Sequence, residues 1–145
     1  MLGSYAGFGP GSDQYKWLEH DLSRVNRTTT PWLIVVVHAP WYNSNFAHQG
    51  EKESVGMRES MEELLYNARV DIDFAGQVLA YERFPQPEIS AFREASFGHG
   101  ESIVASESFA SWSWHKNDDD ESVQADTLAT QSLASDPLCN TDLMF

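Results

Sequence analysis

The stretch Trp32-Leu33-Ile34-Val35-Val36-Val37-His38 is the most strongly patterned part of the sequence. Its run of β-branched residues is continuous rather than alternating, which is typical of a central parallel strand covered on both faces. We therefore expect a strand over residues 32–37, and Pro40 then ends it because proline cannot donate to a sheet ladder. The aromatic, Asn-rich loop over 41–53 follows the carboxyl end of this strand, where α/β proteins often place functional residues.

Helices are predicted on both sides of this strand. Ser12 can cap a helix that begins at Asp13, since its hydroxyl can accept a hydrogen bond from a free amide of the first turn. A second helix is expected over 54–69, where apolar residues recur at helical spacing. A second strand over 70–75 would then complete a βαβ unit with a right-handed crossover.

Asp73 lies in the middle of this second predicted strand. An ionised carboxylate without a partner is costly among apolar neighbours. We therefore expect the pKa of Asp73 to be raised.

The C-terminal part of the chain changes character. Residues 101–105 and 109–114 are expected to pair as a hairpin. The acidic run that begins at Asn117 is predicted to end regular structure, and the Ser-, Thr-, Ala- and Asp-rich residues after it predict a mobile tail. The sequence therefore predicts one domain over 1–116 and an acidic, low-complexity tail over 117–145.

Charge and composition restrict the partners. The chain has 145 residues, with 41% hydrophobic residues and a formal net charge of −13, which suits one acidic domain with its own core. Binding to nucleic acid or to an anionic membrane requires clustered Lys and Arg, so we expect neither partner. An anionic substrate would need a local positive charge, such as metal ions. The single cysteine, Cys139, cannot form an internal disulfide.

Five stretches, taken in order, carry a resemblance to one family. They lie at 11–18, 38–45, 68–76 with 80–83, 92–100 and 112–118. With them, the chain resembles the C-terminal half of the catalytic domain of plant purple acid phosphatases, over about residues 2–125. Several matches in the same order are far more specific than one short motif.

This resemblance implies a fold and an ancestral activity. The expected fold is α/β: a partial metallophosphoesterase-like sandwich with the βαβ unit, a C-terminal β-hairpin and a disordered acidic tail. The family hydrolyses phosphomonoesters with a dinuclear centre, a ferric ion beside zinc, manganese or iron. Two such metals can generate a hydroxide and neutralise charge in the transition state. Family members are mostly secreted, and since no signal peptide is visible here, the location stays open.

The resemblance also assigns site residues. The family's Val-x-x-His motif ends here at His38, which therefore corresponds to a metal ligand. Its Gly-His-x-His motif begins here at Gly76, so Gln77 and Leu79 stand in place of two imidazoles. His48 occupies the position of a histidine that contacts phosphate or protonates the leaving group. The family's three other ligand motifs, an Asp-x-Gly, a Gly-Asp-x-x-Tyr and a Gly-Asn-His-Asp/Glu, do not occur in this sequence.

One imidazole cannot hold a metal that needs about four ligands. We therefore expect no cofactor, a vestigial role for His38, an idle His48, and a catalytically inactive pseudoenzyme. Without the family context, a histidine at a strand end is more often hydrogen-bonded to backbone than a ligand. For His99 and His115 we expect packing and hydrogen bonding near the hairpin rather than chemistry.

One further departure concerns the middle of the chain. In the family, roughly 25 or more residues, on the order of two strands, separate the elements that here end at Arg83 and resume at Phe92. Their loss would expose strand edges and apolar faces. Two alternatives therefore stand beside loss of activity: a non-enzymatic interaction module that pairs with an intact paralogue or with itself, and a truncated product without a role.

Overall fold

The computed structural model describes residues 1–46, 48–77, 80–84, 90–118 and 121–134. Its elements, in chain order, are α1 (Asp13–Leu22), β1 (Ile34–Val37), α2 (Lys52–Asn67), β2 (Ile72–Ala75), β3 (Tyr81–Arg83), β4 (Phe92–Glu94), β5 (Gly98–Val104), β6 (Phe109–Asp118) and β7 (Glu121–Gln131). The strands form a parallel pair β1–β2, an antiparallel pair β3–β4 and an antiparallel sheet β5–β6–β7. The predicted α/β class is confirmed. None of the helices in the described ranges is long and apolar enough to cross a membrane.

The predicted βαβ unit is present. Strands β1 and β2 pair in parallel, with Ile34 opposite Ile72 and Val37 opposite Ala75, and α2 connects them. Leu2 adds a parallel bridge on the other edge of β1. Both helices pack on this sheet and close a core of Leu2, Leu18, Val35, Val37, Trp41, Met57, Met61 and Leu65.

Strand β1 is covered on one face only. Val35 and Val37 are buried, whereas Ile34 and Val36 are 38% and 39% exposed. The expectation of burial on both faces is therefore wrong. An apolar run shows that a strand tolerates burial, but a second layer must also reach it, and here the helices cover only the face of Val35 and Val37.

The helix starts follow their capping chemistry. The Ser12 hydroxyl accepts a hydrogen bond from the Tyr15 amide at 3.2 Å, as the sequence predicts for the start of α1. Helix α2 begins at Lys52, two residues before its predicted start, and its N-cap Glu51 makes no side-chain cap. The Glu51 carboxylate is engaged elsewhere, as described below.

The hairpin of β5 and β6 is confirmed, but the predicted tail is wrong over β7. Strand β7 pairs along the whole of β6, from Gln131 opposite Phe109 to Glu121 opposite Asp118. The predicted boundary between residues 116 and 117 therefore falls inside β6. Polar composition suggested disorder, whereas long-range contacts, such as the ion pair of Asp126 with Arg83, fix this strand. Residues 135–145, including Cys139, lie outside the described ranges.

Two glycines allow aromatic rings to lie across β5. A Cβ on Gly100 would fall 1.8 Å from the Trp112 ring, and one on Gly98 would fall 2.6 Å from the Trp114 ring. On one face of the sheet, the Trp112 and Trp114 rings therefore occupy the space that side chains at Gly100 and Gly98 would fill. On that face the Trp114 ring stacks on Tyr81 of β3, with ring centroids 4.5 Å apart.

Asp71 connects the end of the sheet to the start of the βαβ unit. Its side chain is 2% exposed, and its carboxylate lies 2.6 Å from the Arg27 guanidinium. It also accepts hydrogen bonds from the amides of Leu33, at 2.7 Å, and Leu133, at 2.6 Å. The segment after β7 is therefore attached beside the first residues of β1 and β2.

Candidate functional site

The carboxyl ends of β1 and β2 bring two of the predicted site positions together. His38 follows β1, and Gly76 and Gln77 follow β2. The Gly76 amide donates to the His38 carbonyl at 3.0 Å, which fixes the two strand ends side by side. The exposed His38 ring packs against Tyr5, with ring centroids 5.6 Å apart and planes tilted by 49°.

A second group forms around His48, in the loop before α2. The His48 Nδ1 atom lies 2.7 Å from a Glu51 carboxylate oxygen and 3.1 Å from the Gln77 amide nitrogen. That amide nitrogen also donates to Glu51 at 3.3 Å. His48 and Gln77 both adopt left-handed backbone conformations, with φ of 62° and 68°. The fold thus joins two positions 29 residues apart that the sequence assigned to one site.

Sequence analysis missed Glu51. The signal available was an acidic residue three positions after His48, at the start of the predicted helix. Its carboxylate accepts a hydrogen bond from His48 Nδ1 when that nitrogen is protonated, and Gln77 donates a hydrogen bond to the same nitrogen when it is not. In either tautomer, His48 Nδ1 is engaged by protein.

These side chains do not fit a dinuclear metal centre. Over the described ranges, no group of three or more His, Cys, Asp or Glu side chains is placed to hold a metal ion. The Gln77 amide nitrogen donates to His48 and Glu51, which leaves only the carbonyl oxygen of this side chain as a possible metal ligand. A neutral amide is also a poorer ligand than the imidazole it replaces. Leu79 lies outside the described residues.

The two predicted structural histidines form a cross-strand pair. His99 of β5 lies opposite His115 of β6, and their rings stack with centroids 5.3 Å apart. His115 Nε2 also lies 3.2 Å from the Ser113 hydroxyl. The expected packing and hydrogen bonding are confirmed.

A cavity of about 920 Å³ opens beside this region, between β2, β3 and the β6–β7 face. Its aromatic lining comes from Trp41, Tyr42, Phe46, Phe74, Tyr81, Phe84, Trp112 and Trp114. Asp73 also lines it and is exposed to its interior. Surrounding protein nevertheless displaces enough water from this carboxyl to raise the pKa of Asp73 to about 6, the direction that the sequence predicted.

Glu82 holds the loop after β1 against the β3–β4 pair. It accepts hydrogen bonds from the Ser44 hydroxyl at 2.5 Å and the Ser44 amide at 3.1 Å. Arg93, opposite Glu82 across the ladder, donates to the Ser44 hydroxyl at 2.9 Å. Burial alone would raise the pKa of Glu82, but the hydrogen bonds from the Ser44 hydroxyl and amide and the charge of Arg93 lower it. Glu82 is therefore held as a carboxylate that fixes one wall of the cavity.

Comparison with solved structures defines the class of fold. The chain matches a purple acid phosphatase from yellow lupin (Lupinus luteus) seeds with a TM-score of 0.76 and 20% sequence identity. The match covers 90% of this chain and 30% of the lupin chain. The described elements are therefore part of a metallophosphoesterase fold.

Comparison of sequences then gives the family. Residues 74–125 match the family model described as iron/zinc purple acid phosphatase-like protein C. "Probable purple acid phosphatase 20" of Arabidopsis thaliana is 52% identical over 96% of this chain, and "Purple acid phosphatase 22" of the same plant is 45% identical over 96%. The chain belongs to the plant purple acid phosphatase family, a family of dinuclear metal enzymes. It spans about 40% of the length of these curated relatives.

The relatives contain residues that this chain lacks. The match to the first relative extends over 172 aligned residues, more than the 145 that the chain has. An alignment longer than the chain requires gaps within it. This is the pattern that an internal loss, such as the one expected between Arg83 and Phe92, produces.

Proposed function

We propose that this chain is a degenerate purple acid phosphatase that binds no catalytic metal and does not hydrolyse phosphomonoesters, the ancestral substrates. The observation that carries the proposal is the position of Gln77 and the hydrogen bonds that its side chain makes. Gln77 stands where the resemblance places a metal-binding imidazole, and its amide is hydrogen-bonded to His48 and Glu51.

The physical argument concerns charge and ligand count. Two-metal hydrolysis depends on ligands that fix both ions a few ångströms apart and neutralise the developing charge. Replacing two imidazoles by an amide and an aliphatic side chain removes two strong ligands, and a site with too few ligands binds its metal weakly. His48 then has no metal-bound phosphate to contact.

The substitutions are best tested in a full-length relative, because this chain spans only part of it. We would replace the two histidines of the Gly-His-x-His motif in Arabidopsis probable purple acid phosphatase 20 by Gln and Leu. We expect loss of one metal equivalent or more and at least a 1000-fold fall in hydrolysis of p-nitrophenyl phosphate. A matched double substitution at exposed positions of the same protein should change neither. A double variant that keeps its metals and its activity would overturn the proposal.

The chain itself supplies the second half of the test. Purified protein, supplied with iron and zinc, should retain less than 0.1 equivalent of either metal after dialysis and should not cleave p-nitrophenyl phosphate. Stoichiometric metal accompanied by turnover would be incompatible with the proposed loss of function.

The second candidate function is a non-enzymatic interaction module that pairs with an intact paralogue or another copy. The specific observation that favours it is the cavity beside β2, a strand that pairs only with β1 among the described elements. Net charge of −13 argues against nucleic acid or an anionic membrane as the partner. Light scattering after size exclusion tests this candidate, with the chain alone and with the chain mixed with the full-length relative. A chain that is monomeric in both samples would count against it.

A product without a role and with marginal stability is the remaining alternative. It predicts a broad, non-cooperative thermal transition. A single cooperative transition would contradict it.

A further inference from the structure

The cavity runs along the edge of β2 rather than over one of its faces. All six residues from 71 to 76 line it, and successive side chains of a strand point to opposite faces. A cavity above one face would be lined by every second residue. The opposite wall has the same character, since all five residues from 80 to 84 line it.

Among the described elements, β2 is hydrogen-bonded to β1 on one edge only, and its outer edge faces the cavity. The Asp71 amide donates to Leu33 on the β1 side, so alternation directs the amides of Ile72 and Phe74 to the other side. Among the elements of the described ranges, no strand pairs with that outer edge. Within the described ranges, the amides of Ile72 and Phe74 therefore have no cross-strand partner on this side, and an added strand would supply one.

The dimensions and lining suit a polypeptide. A six-residue edge corresponds to about 20 Å of extended chain at roughly 3.3 Å per residue. The Phe74 and Trp112 ring centroids lie 4.9 Å apart, and Tyr81 extends the same aromatic surface, with its ring centroid 6.3 Å from that of Trp112. Apolar side chains of an inserted strand would therefore find an aromatic surface along the cavity. Strand addition gains affinity from main-chain hydrogen bonds and specificity from such pockets.

We propose that this cavity is the docking site for an extended segment that adds to the free edge of β2. The occupant is the stretch that longer family members possess and this chain lacks, supplied in trans by a partner chain. The gapped alignment supports this choice, since the relative holds residues without a counterpart here. This inference rests on the second candidate function and specifies its partner.

The test uses overlapping, fluorescently labelled ten-residue peptides that cover the residues of Arabidopsis probable purple acid phosphatase 20 without a counterpart in this chain. We expect one peptide, or two that overlap, to bind the folded chain with a Kd in the range of about 1–100 μM by fluorescence anisotropy, a typical range for a short linear segment. Binding should raise the thermal midpoint of the chain and change its tryptophan fluorescence.

Backbone methylation separates strand addition from simple hydrophobic adsorption. The bound peptide would be made in two isomers, methylated at alternate amides on one edge or on the other. Methylation of the edge that faces β2 should weaken binding at least tenfold, because it removes main-chain donors without removing apolar surface. Equal binding of both isomers and the unmethylated peptide would overturn the proposal.

Two further outcomes are decisive. If no peptide binds while the chain melts cooperatively and the uncharged dye N-phenyl-1-naphthylamine does bind, the cavity is a small-molecule pocket and the proposal fails. If the chain associates with the full-length relative in light scattering but binds no peptide, the interaction module stands and this docking mode is wrong.

Discussion

Arg83 and Asp126 form a two-point ion pair that joins β3 to β7. The Arg83 Nε atom donates to one carboxylate oxygen at 2.7 Å, and Nη2 donates to the other at 3.1 Å. Tyr81 adds a hydrogen bond to the same carboxylate at 3.0 Å, and its own hydroxyl accepts from the Trp112 indole at 2.8 Å. This network connects β3 to β7, the strand whose polar composition had predicted a mobile tail.

Neutralising Asp126 should therefore loosen the sheet. The carboxylate is 8% exposed and Arg83 is 22% exposed, so Asp126→Asn leaves a largely buried guanidinium without its counter-charge. We expect a loss of about 2 kcal/mol in the free energy of unfolding, measured by urea denaturation. Glu107→Gln, an exposed acid in the β5–β6 turn, is the control and should change stability by less than about 0.5 kcal/mol.

The same pair predicts a pH dependence. Hydrogen bonds with the Arg83 guanidinium lower the pKa of Asp126 below the ordinary value of an aspartate. A depressed folded-state pKa contributes stability that is complete above pH 4 and is lost as the pH falls through the folded value. Between pH 5 and pH 3 the parent chain should therefore lose more stability than Asp126→Asn. Parallel pH profiles would refute this assignment.

The pH dependence of stability that comes from Asp73 should have the opposite sign to that from Asp126, and Asp73→Asn tests it. Because burial raises the pKa of Asp73 to about 6, the folded state retains a proton that the unfolded chain releases near pH 4. Relative to the variant, the parent should therefore lose stability as the pH rises from 4 to 6. At pH 7.5 we expect the variant to be more stable by about 1 kcal/mol, a figure reduced for the exposure of the carboxyl to the cavity. Equal melting temperatures at pH 7.5 would contradict this.

Asp71→Ala should release the segment after β7. Removing the carboxylate leaves the amides of Leu33 and Leu133 unpaired and Arg27 without its partner. The expected cost is about 3 kcal/mol. Amide hydrogen exchange at Leu133 should become faster than the fall in the free energy of unfolding alone would make it. Unchanged protection there would show that other contacts hold the segment.

Gly100→Ala tests the packing of the indole rings. The new methyl would lie 1.8 Å from Trp112, so the ring or the strand must move, at a cost of about 1–3 kcal/mol. Gly9→Ala provides the matched control, because nothing lies within 4 Å of its Cβ position. Thermal melts of the two variants should differ by several degrees. Similar melts would mean that the ring moves aside freely.

The local sequence pattern was sufficient to predict the βαβ unit. The capping of α1 by Ser12 follows from side-chain chemistry within three residues, and the parallel pairing of β1 with β2 follows from two apolar runs joined by an amphipathic helix. The family resemblance predicted His38, His48 and Gln77 as site positions. Of these, His48 and Gln77 are in contact.

The features that sequence reasoning missed depend on residues distant in the chain. Strand β7 is polar and largely exposed, and its place in the sheet depends on Asp126 meeting Arg83, 43 residues away. The exposure of Val36 depends on which layer reaches it, which an apolar run does not encode. Glu51 joins the site because Gln77, 26 positions away, donates a hydrogen bond to its carboxylate.

The attachment of the segment after β7 also has a consequence for synthesis on the ribosome. The Ser132 hydroxyl donates to the Pro31 carbonyl across 101 positions of sequence, and the Leu133 amide reaches Asp71 across 62. The nascent βαβ unit therefore leaves the ribosome long before Ser132 and Leu133, which hydrogen-bond to Pro31 and Asp71. These contacts cannot form until the C-terminal segment has been synthesised. Such non-local closure slows folding and prolongs the exposure of apolar surface, so this chain should depend on chaperones during translation more than its size suggests.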